Sequence, residues 1–254
     1  KGGDRMYYCC GVTEKGVMPH NEDALLIRDT VIDSGSSEQT IAAPFIAAVS
    51  DGVSGERSGE LASKMCLELI RDMGYTGEAK LDDELLAIHS RLAEYSRSDP
   101  EMHNMQATLC GIAIDEQNNI LTFNVGDSRL YRYRGGRIRQ LSRDQSLVQL
   151  LIDEGAISHE ERNTYVHRNI IFPVFGNVKS APKVDTVSIE GGMEYGDLLL
   201  LCTDGLSDYV SVLDIEEILE LPKSLKTRLH LLVNKALENG SKDNITVIAV
   251  VYYE

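Results

Sequence analysis

The sequence predicts an α+β fold, a four-layer αββα sandwich in which two antiparallel β-sheets pack together and helices cover their outer faces. Three observations lead there. The segments 198–201 and 245–251 are apolar on both alternating faces, so each strand needs cover on both sides. Asn118-Asn119 and Gly135-Gly136 sit between strand-like runs as hairpin turns, which imply antiparallel pairing rather than βαβ crossovers. Stretches of helical spacing are present to form the outer layers. Two packed antiparallel sheets with helices outside satisfy all three. A chain of 254 residues, 43% of them hydrophobic, can bury such a core without disulfide support, and residues 1–254 read as one domain.

The elements follow in order. Residues 1–13 alternate like a strand. Residues 24–31 and 41–50 read as strands, with the Ser/Gly-rich segment 34–37 as the turn between them. Leu61, Met65, Leu69 and Met73, then Leu81, Leu85, Ile88, Leu92 and Tyr95, mark two long amphipathic helices between about 56 and 97. A β block covers 108–114, 120–125, 130–134 and 137–141. A short helix at 147–152 closes at Gly155, and 156–182 lacks periodicity, as an exposed loop or flap would. Strands return at 184–189 and 197–202. Ser224 caps a helix that ends at Asn239-Gly240, and the last strand spans 244–253.

Composition excludes several classes of function. The net charge of -15, with no basic run, repels a phosphate backbone and argues against nucleic acid. No run of eighteen apolar residues indicates a membrane span, and the first residues lack the apolar region of a signal peptide. The five cysteines lie in apolar runs without CxxC spacing, as reduced core thiols of a cytoplasmic protein. The six histidines have neither HxxxH nor HExxH spacing, which argues against zinc hydrolysis. His20 is set apart only by standing beside an acidic motif, and Tyr131 and Tyr133 read as a strand face rather than a base-stacking platform.

The chemistry lies in five short acidic motifs. They are Asn21-Glu22-Asp23, Asp51-Gly52, Gly126-Asp127-Ser128, Asp204-Gly205-Leu206-Ser207-Asp208 and Asp243-Asn244. Any one alone is an ordinary turn. Three of them directly follow or precede strongly apolar strands, and carboxylates at strand ends converge on one edge of a sandwich. Without a counter-charge they would raise one another's pKa, a conflict that hard divalent cations with oxygen ligands resolve.

In combination these motifs resemble the type 2C, metal-dependent protein phosphatase family, over nearly the whole chain, and that family has an αββα sandwich. The resemblance implies that Asp51 bridges two metal ions, with the Gly52 carbonyl helping one and Asp204 and Asp243 holding the second. It implies that Glu22 binds through metal-bound water, with Asp23 supporting the same shell, and that Asn244 supports the final ligand. Asp127, with Asp204 and Asp208, resembles the third-metal site of bacterial members, and about 145–178 falls where the family carries a flap. The implied catalytic set is Asp51, Asp204 and Asp243.

The implied activity is hydrolysis of phosphoserine and phosphothreonine in proteins by metal-activated water. Two Mg²⁺ or Mn²⁺ ions ~4 Å apart lower the pKa of a shared water, which attacks phosphorus in line, and a third ion lies beside them. No protein nucleophile is needed, so Ser54 and Ser58 are not catalytic candidates. The implied setting is bacterial cytoplasmic signalling, with a Ser/Thr kinase and its targets as partners. Two positions depart from the pattern. Met18 stands where members commonly have an arginine that grips the phosphate, which leaves Lys15, Arg57 and Arg168 as candidates for the missing positive charge. Val53 stands where many eukaryotic members have an acidic histidine, which leaves the leaving-group proton to a metal-bound water. One rival reading is a protein of this fold that binds phosphoproteins or regulates a partner with weak or no turnover, which Met18 favours and the full aspartate set opposes. Another, a Ca²⁺-binding structural module, lacks the twelve-residue loop it requires.

Overall fold

The computed structural model describes residues 5–53, 57–77, 80–98 and 103–253. Within them the chain forms strands β1 (Met6–Glu14), β2 (Asp23–Ile27), β3 (Thr30–Ile32), β4 (Gly35–Ala42) and β5 (Phe45–Asp51). Helices α1 (Arg57–Asp72) and α2 (Leu81–Ser98) come next, then strands β6 (Leu109–Ile114), β7 (Ile120–Val125), β8 (Arg129–Arg134) and β9 (Arg137–Gln140). The remainder is α3 (Leu147–Asp153), β10 (Asp185–Ile189), β11 (Leu198–Cys202), α4 (Asp204–Ser207), α5 (Val212–Glu220), α6 (Leu225–Glu238) and β12 (Ile245–Tyr253).

Two six-stranded sheets result, in the orders β4-β1-β12-β11-β8-β9 and β10-β7-β6-β5-β2-β3, and every pairing is antiparallel. The expected sandwich is the one observed. Its physical cause is visible along β11 and β12. Leu199, Leu201, Ile248 and Val250 point into the core between the sheets, while Leu198, Leu200, Val247 and Ala249 pack under α5 and α6. On the other side α1 and α2 cover the second sheet through Cys66, Leu67, Ile70, Leu85 and Leu92. Each fully buried Leu or Ile contributes about 1.5–3 kcal/mol, so a strand buried on both faces is held firmly at its end, where the acidic motifs lie.

Some expectations need correction. Residues 24–31 are not one strand: Arg28, at φ 53, makes a two-residue turn with Asp29 between β2 and β3. Gly35, Ser36 and Ser37 are not a turn but the start of β4, where pairing with β1 outweighs their turn composition. Pro44 divides 41–50 between β4 and β5 because it has no N–H for the ladder. Helices α4 and α5 were not foreseen. Ser211 caps α5 by accepting from the Asp214 N–H, and Ser146 and Ser224 cap α3 and α6 in the same way. Residues 156–182 are irregular apart from one 3₁₀ turn at Arg162–Thr164. The five cysteines are buried and free.

Helix α2 also grips the end of the irregular segment, at 176–178. His89, nearly buried on α2, accepts a hydrogen bond at Nδ1 from the Gly176 N–H (3.2 Å) and stands edge-on to Phe175, while Arg97 donates to the Val178 carbonyl (3.3 Å). Burial, with Arg97 adding to it, pushes the His89 pKa below the usual value. A group depressed in this way stabilises the fold above its unfolded pKa of about 6.5, and the contribution is lost as pH falls toward the folded pKa. Urea titrations from pH 8 to 5.5 are therefore expected to show the wild type losing stability relative to a His89→Gln variant. Parallel pH profiles for the two proteins would contradict the assignment.

Candidate metal centre

The ends of five elements meet at one edge of the sandwich. Asp23 pairs with Asp51 across β2 and β5, and Cys202 pairs with both Arg129 and Val247. This register brings the acidic motifs that begin β2 and β12, end β5 and follow β7 and β11 to the same place. A cleft of about 470 Å³ opens there, lined by Glu22, Asp51, Gly52, Asp127, Asp204, Asp208, Asp243 and Asn244. Met18, Val53, Thr108, Arg168, Asn169, Ile171, Tyr209 and Lys242 complete its walls.

Each carboxylate is fixed by its neighbours. The Asn244 side chain accepts from the Glu22 N–H (2.8 Å) and donates to the carbonyls of Lys15 (3.0 Å) and His20 (2.8 Å). One amide thus ties the start of β12 to the loop that carries Met18 and Glu22. Gly16, at φ 59, lets that loop close against the Asp243 carbonyl, where a Cβ would come within 2.8 Å. Thr108 Oγ1 accepts from the Asp51 N–H (3.1 Å) and shares a hydrogen bond with Ser128 Oγ (2.8 Å), which joins the Asp51 and Asp127 motifs. Gln145 holds the Gly126 turn from both sides, accepting from its N–H (3.1 Å) and donating its own N–H to its carbonyl (2.9 Å). A Cβ on Gly52 would run into the Gly59 backbone, so only glycine lets the first turn of α1 approach the Asp51-Gly52 strand end so closely.

The electrostatics of this cluster are unfavourable as they stand. Burial, and then the charges of Asp23, Asp204 and Asp243, hold Asp51 well above the ordinary carboxylate range. Burial, and then Asp127, Asp243 and Asp208, do the same to Asp204. Asp127 is pushed up to about 7, by burial first and then by Asp144 and Asp208. Asp204 Oδ1 is enclosed and has no hydrogen-bond partner. An acceptor left that way costs free energy unless a cation or donor meets it. All the acidic donors are oxygens, and among the described residues no histidine or cysteine lines the cleft, a donor set that suits hard divalent cations. Among the described residues, no three acidic, imidazole or thiol groups close tightly enough to cage an ion by themselves. Small hard cations keep several waters and take few protein ligands, and the open cleft leaves room for them.

Beside the Asp127 motif lies a compact ionic network. Arg129 grips the fully buried Asp144 carboxylate through Nε (3.0 and 3.1 Å) and Nη2 (2.8 Å) and donates to the Ser207 carbonyl (3.3 Å). Arg162, from the 3₁₀ turn at Arg162–Thr164, also donates to Asp144, and Gln140 adds a further hydrogen bond (2.9 Å). Arg168 approaches Asp208 at 3.5 Å, and Arg129 approaches it at 3.7 Å.

The candidate residues fall into three groups. Glu22, Asp51, Gly52, Asp127, Asp204, Asp208, Asp243 and Asn244 share the cleft wall. Asp23 is set back from it, fully buried, accepting from Thr203 Oγ1 (2.8 Å) and pushed up to about 7, chiefly by burial. Of the candidate cations, Arg168 lines the cleft and Lys15 does not, while Ser54 and the side chain of Arg57 lie outside the described residues. His20 offers Asn244 its carbonyl, not its ring. Sequence reasoning missed Thr108, Gln145, Arg129, Asp144 and Lys242. Lys242 alone carried a local signal, since it adjoins Asp243.

A sandwich of this topology with a carboxylate cleft at one edge defines a class of metal-dependent hydrolases, and comparison with known proteins narrows it. The family model for protein phosphatase 2C matches residues 21–239, and the chain belongs to that family. The serine/threonine phosphatase stp of Listeria monocytogenes is 33% identical over 94% of this chain and 93% of that protein. The serine/threonine protein phosphatase PstP of Mycobacterium tuberculosis is 31% identical over 88% of this chain, though the match spans only 44% of PstP. Among solved structures, the PstP catalytic domain in complex with two manganese ions superposes with a TM-score of 0.79 at 28% identity, covering 98% of this chain and 100% of that one. The serine/threonine phosphatase of S. agalactiae does so with a TM-score of 0.82 at 27% identity, covering 97% and 100%.

Proposed function

We propose that the cleft holds two Mn²⁺ or Mg²⁺ ions at its centre and a third beside Asp127, and dephosphorylates phosphoserine and phosphothreonine in proteins. Membership of the protein phosphatase 2C family makes the chain a metal-dependent protein serine/threonine phosphatase with phosphoprotein substrates. The observation that carries the site assignment is the cluster of six carboxylates around one cleft, with Asp204 Oδ1 enclosed and unpartnered. When bound, the ions supply an acidified water and offset the charge of the phosphoryl oxygens.

The chain's own residues do the rest. Asp51 and the Gly52 carbonyl, with Asp204 and Asp243, hold the central pair, and Glu22 holds its water shell. Asp127, Asp204 and Asp208 serve the third ion. Asp23 and Asn244 fix the strand ends from behind. Val53 has no ionisable group, so the residue after Gly52 gives no proton to the leaving alkoxide. Residues 1–254 act as one catalytic domain with 145–178 as its flap. Cytoplasmic signalling opposite a Ser/Thr kinase is the setting we assign. Among the described residues, no helix is long and apolar enough to cross a membrane.

Exhaustive chelation is expected to abolish hydrolysis of p-nitrophenyl phosphate and of phosphothreonine peptides, and added Mn²⁺ or Mg²⁺ to restore it. Full activity in the chelated protein would sink the proposal. Phosphate binding gives a second test. Among the described residues, Arg168 and Lys242 are the cations on the cleft wall, and a guanidinium suits a phosphate better than an ammonium. Arg168→Ala should therefore raise KM. Met18→Arg adds a charge-assisted contact worth ~1.5–3 kcal/mol and should lower KM by roughly ten- to a hundredfold. The contact is made in ground and transition states alike, so kcat should change less. Unchanged KM in both variants would leave phosphate binding to the ions alone.

A further inference from the structure

We infer that the cleft selects among phosphoproteins by apolar side chains immediately flanking the phosphorylated residue, an inference that rests on the phosphatase reading. Four segments far apart in sequence each bring an apolar or aromatic side chain to this one cleft, namely Met18, Val53, Ile171 and Tyr209. Met18 and Val53 are 38% and 40% exposed, and the sequence neighbours of Met18 and Ile171 carry the same character outward, with Val17 at 69% and Phe172 at 40%. Single exposed apolar residues need no explanation, but four converging on a polar cleft do.

The position of the carboxylates dictates what covers them. A substrate's phosphate has to reach the carboxylates, and successive Cα atoms lie only about 3.8 Å apart. The residues on either side of the phosphorylated one therefore come down on the walls. Among the described residues the cations of the cleft wall are Arg168, drawn toward Asp208, and Lys242 beside Asp243, while Met18 and Val53 carry no charge and offer the flanking residues van der Waals contact rather than ion pairs. Acidic flanks are disfavoured further by a protein that carries a net charge of -15. The favoured occupant is a phosphoserine or phosphothreonine with a Leu, Val or Met neighbour and no acidic one.

The test uses two phosphothreonine peptides of equal length and charge, one with Leu on both sides of the phosphorylated residue and one with Ser. With Mn²⁺ bound, the wild type is expected to turn over the Leu peptide with a kcat/KM about tenfold higher, the low end of what small apolar differences give in a pocket. Met18→Ser and Val53→Ser should each shrink that ratio, the double variant should bring it near one, and Met18→Leu should keep it. The change should lie mainly in KM. Equal kcat/KM for the two peptides in the wild type, or a ratio that survives the double variant, would overturn the inference. Turnover of neither peptide would overturn the phosphatase reading, and the inference with it.

Discussion

Asp204→Asn is expected to reduce turnover by about three orders of magnitude, because a ligand that offsets several kcal/mol of transition-state charge is lost. The same substitution should leave the metal-free protein as stable as the wild type, or raise its melting temperature by a few degrees. Asp204 stands well above the ordinary carboxylate range, by burial first and then through Asp127, Asp243 and Asp208, so its charge works against the fold when no ion is present. The sign of the pH dependence follows. Asp23 and Asp127 are pushed up to about 7, from an unfolded value near 4. In that window the folded state holds protons that the unfolded chain has released. The metal-free wild type should therefore lose stability as pH rises from about 4 through about 7, and added Mn²⁺ should reverse the loss. Thermal scans of metal-free protein at pH 5 and 7.5 measure both effects. A large drop in melting temperature for metal-free Asp204→Asn would show that its carboxylate supports the fold rather than the ions.

Asp144→Ala should be the most destabilising change outside the hydrophobic layers. It strips Arg129 and Arg162 of the carboxylate they share, and leaves the nearly buried Arg129 with Asp208 at 3.7 Å as its nearest anion. Removing one partner of a buried pair costs about 3–5 kcal/mol, which in a chain of this size lowers the melting temperature by about 6–20 °C. Asp144→Asn keeps a hydrogen-bond acceptor and should lose less. If Arg129 then swings to Asp208, the variant should also need more Mn²⁺ for half-maximal activity. A loss below about 1 kcal/mol in urea titration would mean that the network is merely a solvated surface pair.

What could be read in the sequence, and what could not, divides along physical lines. Alternation is local, so β11 and β12 announced burial on both faces, and the sandwich followed from that. The acidic turns were equally local, and Glu22, Asp51, Asp127, Asp204, Asp208 and Asp243 were all found before any geometry was known. The groups that hold them were not. Thr108 reaches Asp51 and Ser128 only because β5, β6 and β7 lie side by side, and nothing in its own neighbourhood announces it. Asp144 and Arg129 look like ordinary surface charges until the fold closes over them. Helix α5 went unread although Ser211 offers a cap and Ile215 and Leu219 recur at helical spacing, both local signals. The split of 41–50 had a visible cause in Pro44, which the apolar run around it concealed.

The amide of Asn244 has a consequence for how the enzyme comes into being. It is bonded to Glu22, 222 residues away, and Thr13 meets Thr246 across 233 residues. Strand β12 lies in the middle of its sheet between β1 and β11, so pairing it closes a loop that spans nearly the entire chain. Such long-range closure is slow and comes after local helices and hairpins. On the ribosome, the chain can make α1, α2 and the β6-to-β9 hairpins while Asp243 and Asn244 are still unsynthesised. The nascent polypeptide therefore lacks Asp243 and Asn244, and with them a complete cleft wall, until β12 is made.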